Sequence, residues 1–161
     1  MMKFIYTLLI IIALTNNSFS AGTSSGSSDN SSNYTKAYNL IKAAKKYEKK
    51  GKTEKALERY AKAQKLLLKS NKKKPLQADT LNYLGFTTRK LGDYEKGEEF
   101  YLQGLQIEPN HNGINEYLGE LYIATNRIDL AKERLNVLKS CNCKEYKQLK
   151  EIIEGTRKSK Y

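Results

Sequence analysis

From about residue 37 onward, apolar residues recur at intervals of three and four, and no alternating run of any length appears. Leu81, Leu84, Thr88 and Leu91 keep one such stripe. Tyr94, Gly97, Tyr101, Leu105 and Ile107 roughly continue it. This spacing returns side chains to one face of a helix, so it predicts helices and no sheet. Between the two stripes, Gly92 suits the left-handed residue past a helix end, and Asp93 suits the cap of the next helix. Gly51 and Asn126 stand where the same ending is expected, and Pro109 closes the second stripe. The predicted pairs run over about 37–50 and 52–70, 78–91 and 93–107, and 112–125 and 127–139. A last helix over 144–157 places Tyr146, Leu149, Ile152 and Ile153 on one face.

The pattern repeats. Leu84-Gly85 returns as Leu118-Gly119, 34 residues on, and the same offset carries Gly97 to Ala131 and Tyr101 to Leu135. Going backward the offset is 41, carrying Gly97 to Ala56 and Tyr101 to Tyr60. The seven extra residues lie near Ser70–Leu76 and include Lys72-Lys73-Lys74-Pro75. A fixed period of this size indicates stacked supersecondary units that cannot bury their apolar faces alone. Small residues at Gly85, Gly119 and Ala44, and at Gly97, Ala131 and Ala56, are expected where paired helices cross.

Leu81, Leu84, Gly85, Thr88, Tyr94, Gly97, Tyr101, Gly104 and Pro109 resemble the tetratricopeptide repeat family in their order and spacing. Thr88 stands where that family usually has Tyr. The third unit departs further, with Asn115 at a large apolar place, Leu138 at a small one and Cys143 where Pro is usual. The first unit has Ala43-Ala44 in place of Leu-Gly. The resemblance implies an all-α solenoid of three tetratricopeptide-like helix pairs, over about 37–70, 78–111 and 112–145, with a C-terminal capping helix. It also implies a concave groove, lined by the first helices of the units, that binds a protein or peptide. By helical spacing that groove would present Asp79, Asn82, Phe86 and Arg89, then Glu116, Glu120 and Ile123, with Tyr38, Ile41, Lys45 and Glu48 from the first unit. The family's carboxylate-clamp groove needs a set of Lys, Asn and Arg. Asn82 and Arg89 are fragments of it, and Lys45 stands where it wants Asn, so chaperone-tail binding is not expected.

Residues 1–20 have another grammar. Met1-Met2-Lys3 is a short positive start, Phe4–Leu14 is apolar apart from Thr7, and Ser18 and Ser20 are small. This is the pattern of a cleaved signal peptide. The apolar run is shorter than the ~20 residues of a spanning helix, so export to a periplasm or beyond the cell is expected. Residues 21–33 are six-thirteenths Ser, with Gly22 and Gly26, and read as a flexible leader before a repeat domain at 34–157 and a tail at 158–161.

Charge narrows the partners. The 161 residues carry 29 Lys+Arg and 17 Asp+Glu, a formal net charge of +12. Residues 36–74 hold 15 basic and 3 acidic residues, whereas 78–143 hold 7 and 10. The surplus therefore belongs to the first unit and the insertion after it. Lys42, Lys45, Lys46, Lys49 and Lys50, with Lys72, Lys73 and Lys74, form a candidate basic patch. A solvated lysine face, an acidic protein partner, and an anionic envelope polymer or lipid all fit it. Export, the predominance of Lys over Arg and the lack of a nucleic-acid module disfavour nucleic acid.

Candidate chemistry is sparse. One His and two Cys exclude most metal sites and His-dependent triads within one chain. No phosphate loop, nucleophile elbow or zinc motif is present, so no enzyme and no cofactor are expected. Cys141 and Cys143 could close a small disulfide ring or stay as thiols, and either would shape the turn into the last helix. His111 follows Pro109-Asn110 and reads as an exposed loop residue. The role expected is an adaptor in a cell-envelope assembly. The alternative is a structural envelope protein that binds anionic polymer or lipid through its basic first unit.

Overall fold

The computed structural model describes residues 29–159. The signal peptide and most of the leader expected from the sequence lie outside the described residues. Among those described, seven helices and no strand occur: α1 (Asp29–Lys49), α2 (Thr53–Lys73), α3 (Ala78–Lys90), α4 (Tyr94–Ile107), α5 (Asn112–Ala124), α6 (Ile128–Leu138) and α7 (Lys144–Ile153). Helices α1 and α2, α3 and α4, and α5 and α6 pack as pairs. The pairs stack through α2 on α3 and α4 on α5, and α7 packs on α5 and α6. The chain is an α-solenoid of three helix pairs with a capping helix. No described helix is long and apolar enough to cross a membrane.

Turn chemistry sets the pair boundaries. Gly51, Gly92 and Asn126 have φ of 68°, 99° and 58°. Asn126 accepts the left-handed conformation because its short polar side chain costs less there than most others. The Asp93 carboxylate accepts the Lys96 amide at 2.9 Å and so caps α4. Two boundaries in the first unit differ from the sequence reading. Helix α1 opens at Asp29 and not near 37, and so takes in residues 29–33 of the expected leader. Asn33 and Ala37 are buried, and the Tyr34 ring lies 6.0 Å from that of Tyr83, so contacts far along the chain hold this end. Helix α2 takes in Lys72 and Lys73 before Pro75, because lysine is a good helix former and proline stops the run.

The helix crossings explain the small residues, with one correction. A Cβ at Gly85 would meet the Tyr101 ring of α4 at 2.5 Å, and one at Gly97 would meet Arg89 Cβ and the Gly85 carbonyl at 3.1 Å. Gly119 serves a different contact. Its Cβ would meet Leu149 of α7 at 2.6 Å, so the glycine seats the cap rather than the paired helix. Helix α7 ends at Ile153, short of 157. Gly155 turns at φ 71°, and the Thr156 amide bonds back to the Glu151 carbonyl at 3.0 Å.

The departures from the repeat pattern have local partners. Gln64 Nε2 donates to Thr88 Oγ1 at 2.7 Å, so a hydrogen bond between units stands where an aromatic ring was the usual filler. Buried Asn115 donates to the carbonyls of Pro109 and His111 at 3.0 and 3.1 Å. His111 is no free loop residue. Its Nδ1 accepts the Ile114 amide at 3.1 Å and caps α5, while its Nε2 lies 3.3 Å from Asp79 Oδ1.

Candidate functional site

The inner face is built from two helical stripes. Tyr38, Lys42, Lys45 and Lys49 stand at spacings of four, three and four on α1. Asp79, Tyr83, Phe86 and Lys90 do the same on α3. Such positions share one helix face. Tyr83 meets Tyr38 at 5.6 Å, and Phe86 meets Tyr117 of α5 at 5.0 Å between ring centroids. The result is an aromatic floor between the first helices of the three units.

Lys45 lies over that floor. Its ammonium is 4.4 Å from the Phe86 centroid and 5.3 Å from that of Tyr117, and it donates to the Tyr117 hydroxyl at 2.9 Å. A cation over a ring face is held by the ring quadrupole, more strongly where water is excluded. Lys90 Nζ pairs with Glu48 at 2.8 Å, and Glu48 also accepts from the Tyr60 hydroxyl at 2.8 Å. Burial pushes the phenols of Tyr60 and Tyr117 well above their ordinary value, and a neighbouring carboxylate adds to it in each case.

Above the floor lies an open hollow of about 830 Å³. Lys45, Glu48 and Lys49 line it from α1, Phe86 and Lys90 from α3, and Gln148, Arg157 and Lys158 from α7 and the turn after it. The last helix and its trailing turn therefore wall the inner face opposite the first unit.

Of the groove residues expected on α3 and α5, Asn82, Arg89, Glu116 and Glu120 do not line the hollow, and Phe86 reaches it only as its buried floor. Asn82 is 5% exposed, Phe86 1%, Arg89 2%, Glu116 4% and Glu120 0%. Asp79 is exposed and faces His111. Asn82 and Arg89 lie on the side of α3 that faces α5: Asn82 packs where Gly113 leaves room, and Arg89 Nη1 donates to the Tyr117 carbonyl at 2.8 Å. The Glu120 carboxylate acts on Arg89 and on Tyr101, and Glu116 on Tyr101 and Tyr117, so these charges belong to the seam between units. Burial pulls the Arg89 guanidinium below its ordinary pKa, and the surrounding tyrosines and Glu120 oppose that.

The candidate basic patch is two regions. Lys42, Lys45, Lys46, Lys49 and Lys50 follow α1 to its C-terminal end. Lys72 and Lys73, by contrast, share a separate hollow of about 460 Å³ with Lys69 and Asn33, at the opposite end of the pair, and Lys74 follows at the C-cap. Asn33 and Lys49 are about 24 Å apart along the helix at 1.5 Å per residue. Lysines close in sequence are thus separated by a helix length.

Cys141 and Cys143 are joined, with Cα atoms 5.1 Å apart. The Cys141 amide donates to the Leu138 carbonyl at 3.1 Å, and Cys143 is the residue before α7, so the bridge sits in the turn into the cap. Among the described residues no three His, Cys, Asp or Glu form a metal-sized group.

Helical spacing could have found Tyr83 and Lys90, which share a stripe with Asp79 and Phe86. Arg157 and Lys158 have no such signal, because the turn at Gly155 brings them to the hollow.

Residues 78–111 match the family model described as tetratricopeptide repeat. Over 72 residues the chain is 39% identical to the Sol locus transcriptional repressor of Clostridium acetobutylicum. That match covers 43% of this chain and 23% of the relative, so the chain spans under a quarter of that protein's length. Among solved structures, the first TPR of Spaghetti (RPAP3), bound to the HSP90 peptide SRMEEVD, is similar with a TM-score of 0.48 and 18% identity. It covers 76% of this chain and 94% of its own. The second TPR of the same protein, with the same peptide, gives 0.43 and 15%, covering 69% and 95%.

Proposed function

We propose that this protein is a non-catalytic interaction module of the tetratricopeptide repeat kind. It holds an extended segment or a helix of a partner protein in the hollow between α1, α3 and α7. The observation that carries this reading is the hollow itself: a concavity with an aromatic floor, walled by the first and last elements of the described solenoid. The repeat match over 78–111 supports it. The module is exported and works as an adaptor in a cell-envelope assembly. That part of the proposal rests on the positive, apolar and small-residue order of residues 1–20.

A photo-crosslinking residue tests the site. Placed at Lys49 and expressed in the native cell, it should trap one discrete partner. Placed at Lys132, on exposed α6, it should not. Equal trapping at both positions, or none at Lys49, would sink the reading. N-terminal sequencing of the exported protein tests the localisation, and an intact Met1 would count against it.

A second reading is a structural role on anionic polymer or lipid. The exposed lysines at the end of α2 favour it, because they line a separate hollow at the far end of the helix pair. Charge reversal at Lys72, Lys73 and Lys74 should abolish that binding and leave groove docking intact.

A further inference from the structure

Five cations converge on the hollow, where Lys90 pairs with Glu48 and Arg157 with Glu151, so the cations outnumber these carboxylates. Lys45, Lys49, Lys90, Arg157 and Lys158 line it with Glu48. They come from three separate stretches of chain, so the convergence is made by the fold. Two cations belong to the turn after α7, which is tied down: the Arg157 amide bonds to the Glu151 carbonyl at 3.1 Å, and its guanidinium pairs with the Glu151 carboxylate at 3.1 Å. Gly155, at φ 71°, reverses the chain so that residues 157 and 158 reach the hollow. A concave site lined by an excess of one sign of charge focuses its field outward and concentrates ligands of the other sign.

We infer that the turn at residues 154–158 is a ligand-binding element of the groove, and that the ligand is an internal acidic segment of a protein with adjacent side-chain carboxylates. This rests on the groove-docking reading above. Arg157 and Lys158 meet the segment from one wall, and Lys45, Lys49 and Lys90 from the other. Two other polyanions fit the geometry poorly. A bilayer surface is too flat to enter a concavity. Single-stranded nucleic acid needs open aromatic faces for its bases, but the Phe86 ring is buried and the Lys45 ammonium covers its face.

The test uses the full chain and an end-blocked tetraglutamate peptide carrying a fluorophore, followed by anisotropy. Binding is expected, weakening as salt is raised because screening shortens the reach of exposed charges. The double variant R157Q/K158Q should lose roughly fivefold in affinity, the equivalent of two exposed charge contacts. K158Q alone should lose roughly twofold, and it leaves the Arg157–Glu151 pair in place, so a folding defect cannot explain its effect. K72Q/K73Q/K74Q should bind like the parent. The inference is overturned if the tail variants bind like the parent, or if the triple variant loses as much as they do. It is also overturned if phosphatidylglycerol vesicles or an oligothymidylate bind more tightly than the peptide and with the same dependence on residues 157 and 158. If Lys49 still traps a discrete partner when the tail variants have no effect, the docking reading survives and this inference alone fails.

Discussion

Where the first unit meets the second, the charges sit at the edge of the contact, as the Lys90–Glu48 pair and the Lys45 ammonium over Phe86, and the rest is neutral. Tyr60 packs edge-on against Phe86 at 5.5 Å, Gln64 bonds to Thr88, and Tyr34 and Tyr38 meet Tyr83. Where the second meets the third, ionisable groups are inside. Arg89, Glu116 and Glu120 are buried with Tyr101, and Arg127 makes a two-point pair with Glu98 at 3.0 and 2.6 Å nearer the surface. Regional charge runs the opposite way. The strongly basic stretch 36–74 keeps most of its lysines in water, while part of the acidic surplus of 78–143 lies inside, opposite an arginine. A segment's net charge therefore does not tell where its charges sit. Lysine keeps its head in water because its long stem allows it. A buried carboxylate needs a partner on a neighbouring element.

Alkaline pH tests both seams at once and should have the largest effect. Burial is the first cause raising the phenols of Tyr34, Tyr60, Tyr83, Tyr101 and Tyr117, and Tyr83 is pushed up to about 12. The folded chain holds these protons more tightly than the unfolded chain does. The stability they favour is whole below the ordinary tyrosine pKa, near ~10, and is lost as pH rises through the folded values. Tyrosinate absorbance and loss of helical circular dichroism should rise together above about pH 10. Complete ionisation of the tyrosines with the helices intact would break the picture of tightly packed seams.

Arg89→Met separates the seams. It leaves carboxylates buried between α3 and α5 without their arginine, and should cost about 3–5 kcal/mol in urea denaturation. A cost under about 1 kcal/mol would mean that the second seam does not depend on the charge. The double change Gln64→Leu with Thr88→Val removes both partners of a hydrogen bond at the first seam and should cost far less, because no polar group is left unsatisfied.

The glycine positions sharpen the comparison within the fold. Gly85→Ala sets a methyl against the buried Tyr101 ring and should lower stability by ~1–3 kcal/mol. Gly119→Ala meets the flexible end of Leu149 and should cost less. The reverse order in thermal melts would contradict the assignment of Gly119 to the cap contact. The smallest effect belongs to Arg127→Gln. Its pair with Glu98 is partly exposed, so the loss should be ~0.2–1 kcal/mol and should shrink in high salt.

Much of the architecture was legible in the sequence. Gly92, Asp93 and Asn126 mark turns by their own conformational preferences, and the Leu81–Leu84–Thr88 stripe marks a helix face by period alone. The candidate site was less so. Helical spacing picks out Asp79, Phe86 and Lys45, but Asn82 and Arg89 share much of that stripe and turn toward α5 instead. A single-residue difference in facing is about 100° on a helix, and helical spacing does not say which part of a stripe the next unit will cover. His111 was unreadable for a related reason, because its cap on α5 and its approach to Asp79 depend on two units being stacked.

Sequence alone determined what each residue can do with its nearest neighbours along the chain: the helices, their repeat and the glycine-led turns between them. Those are local choices of dihedral angle and period. Tertiary structure decided what the stacking of units does with them. It buried Arg89 with Glu116 and Glu120, divided one run of lysines between two ends of a helix pair, and carried Arg157 and Lys158 back to the hollow beside Lys45. Burial and the convergence of charge depend on distances between residues remote in sequence, and those distances exist only once the helices have packed.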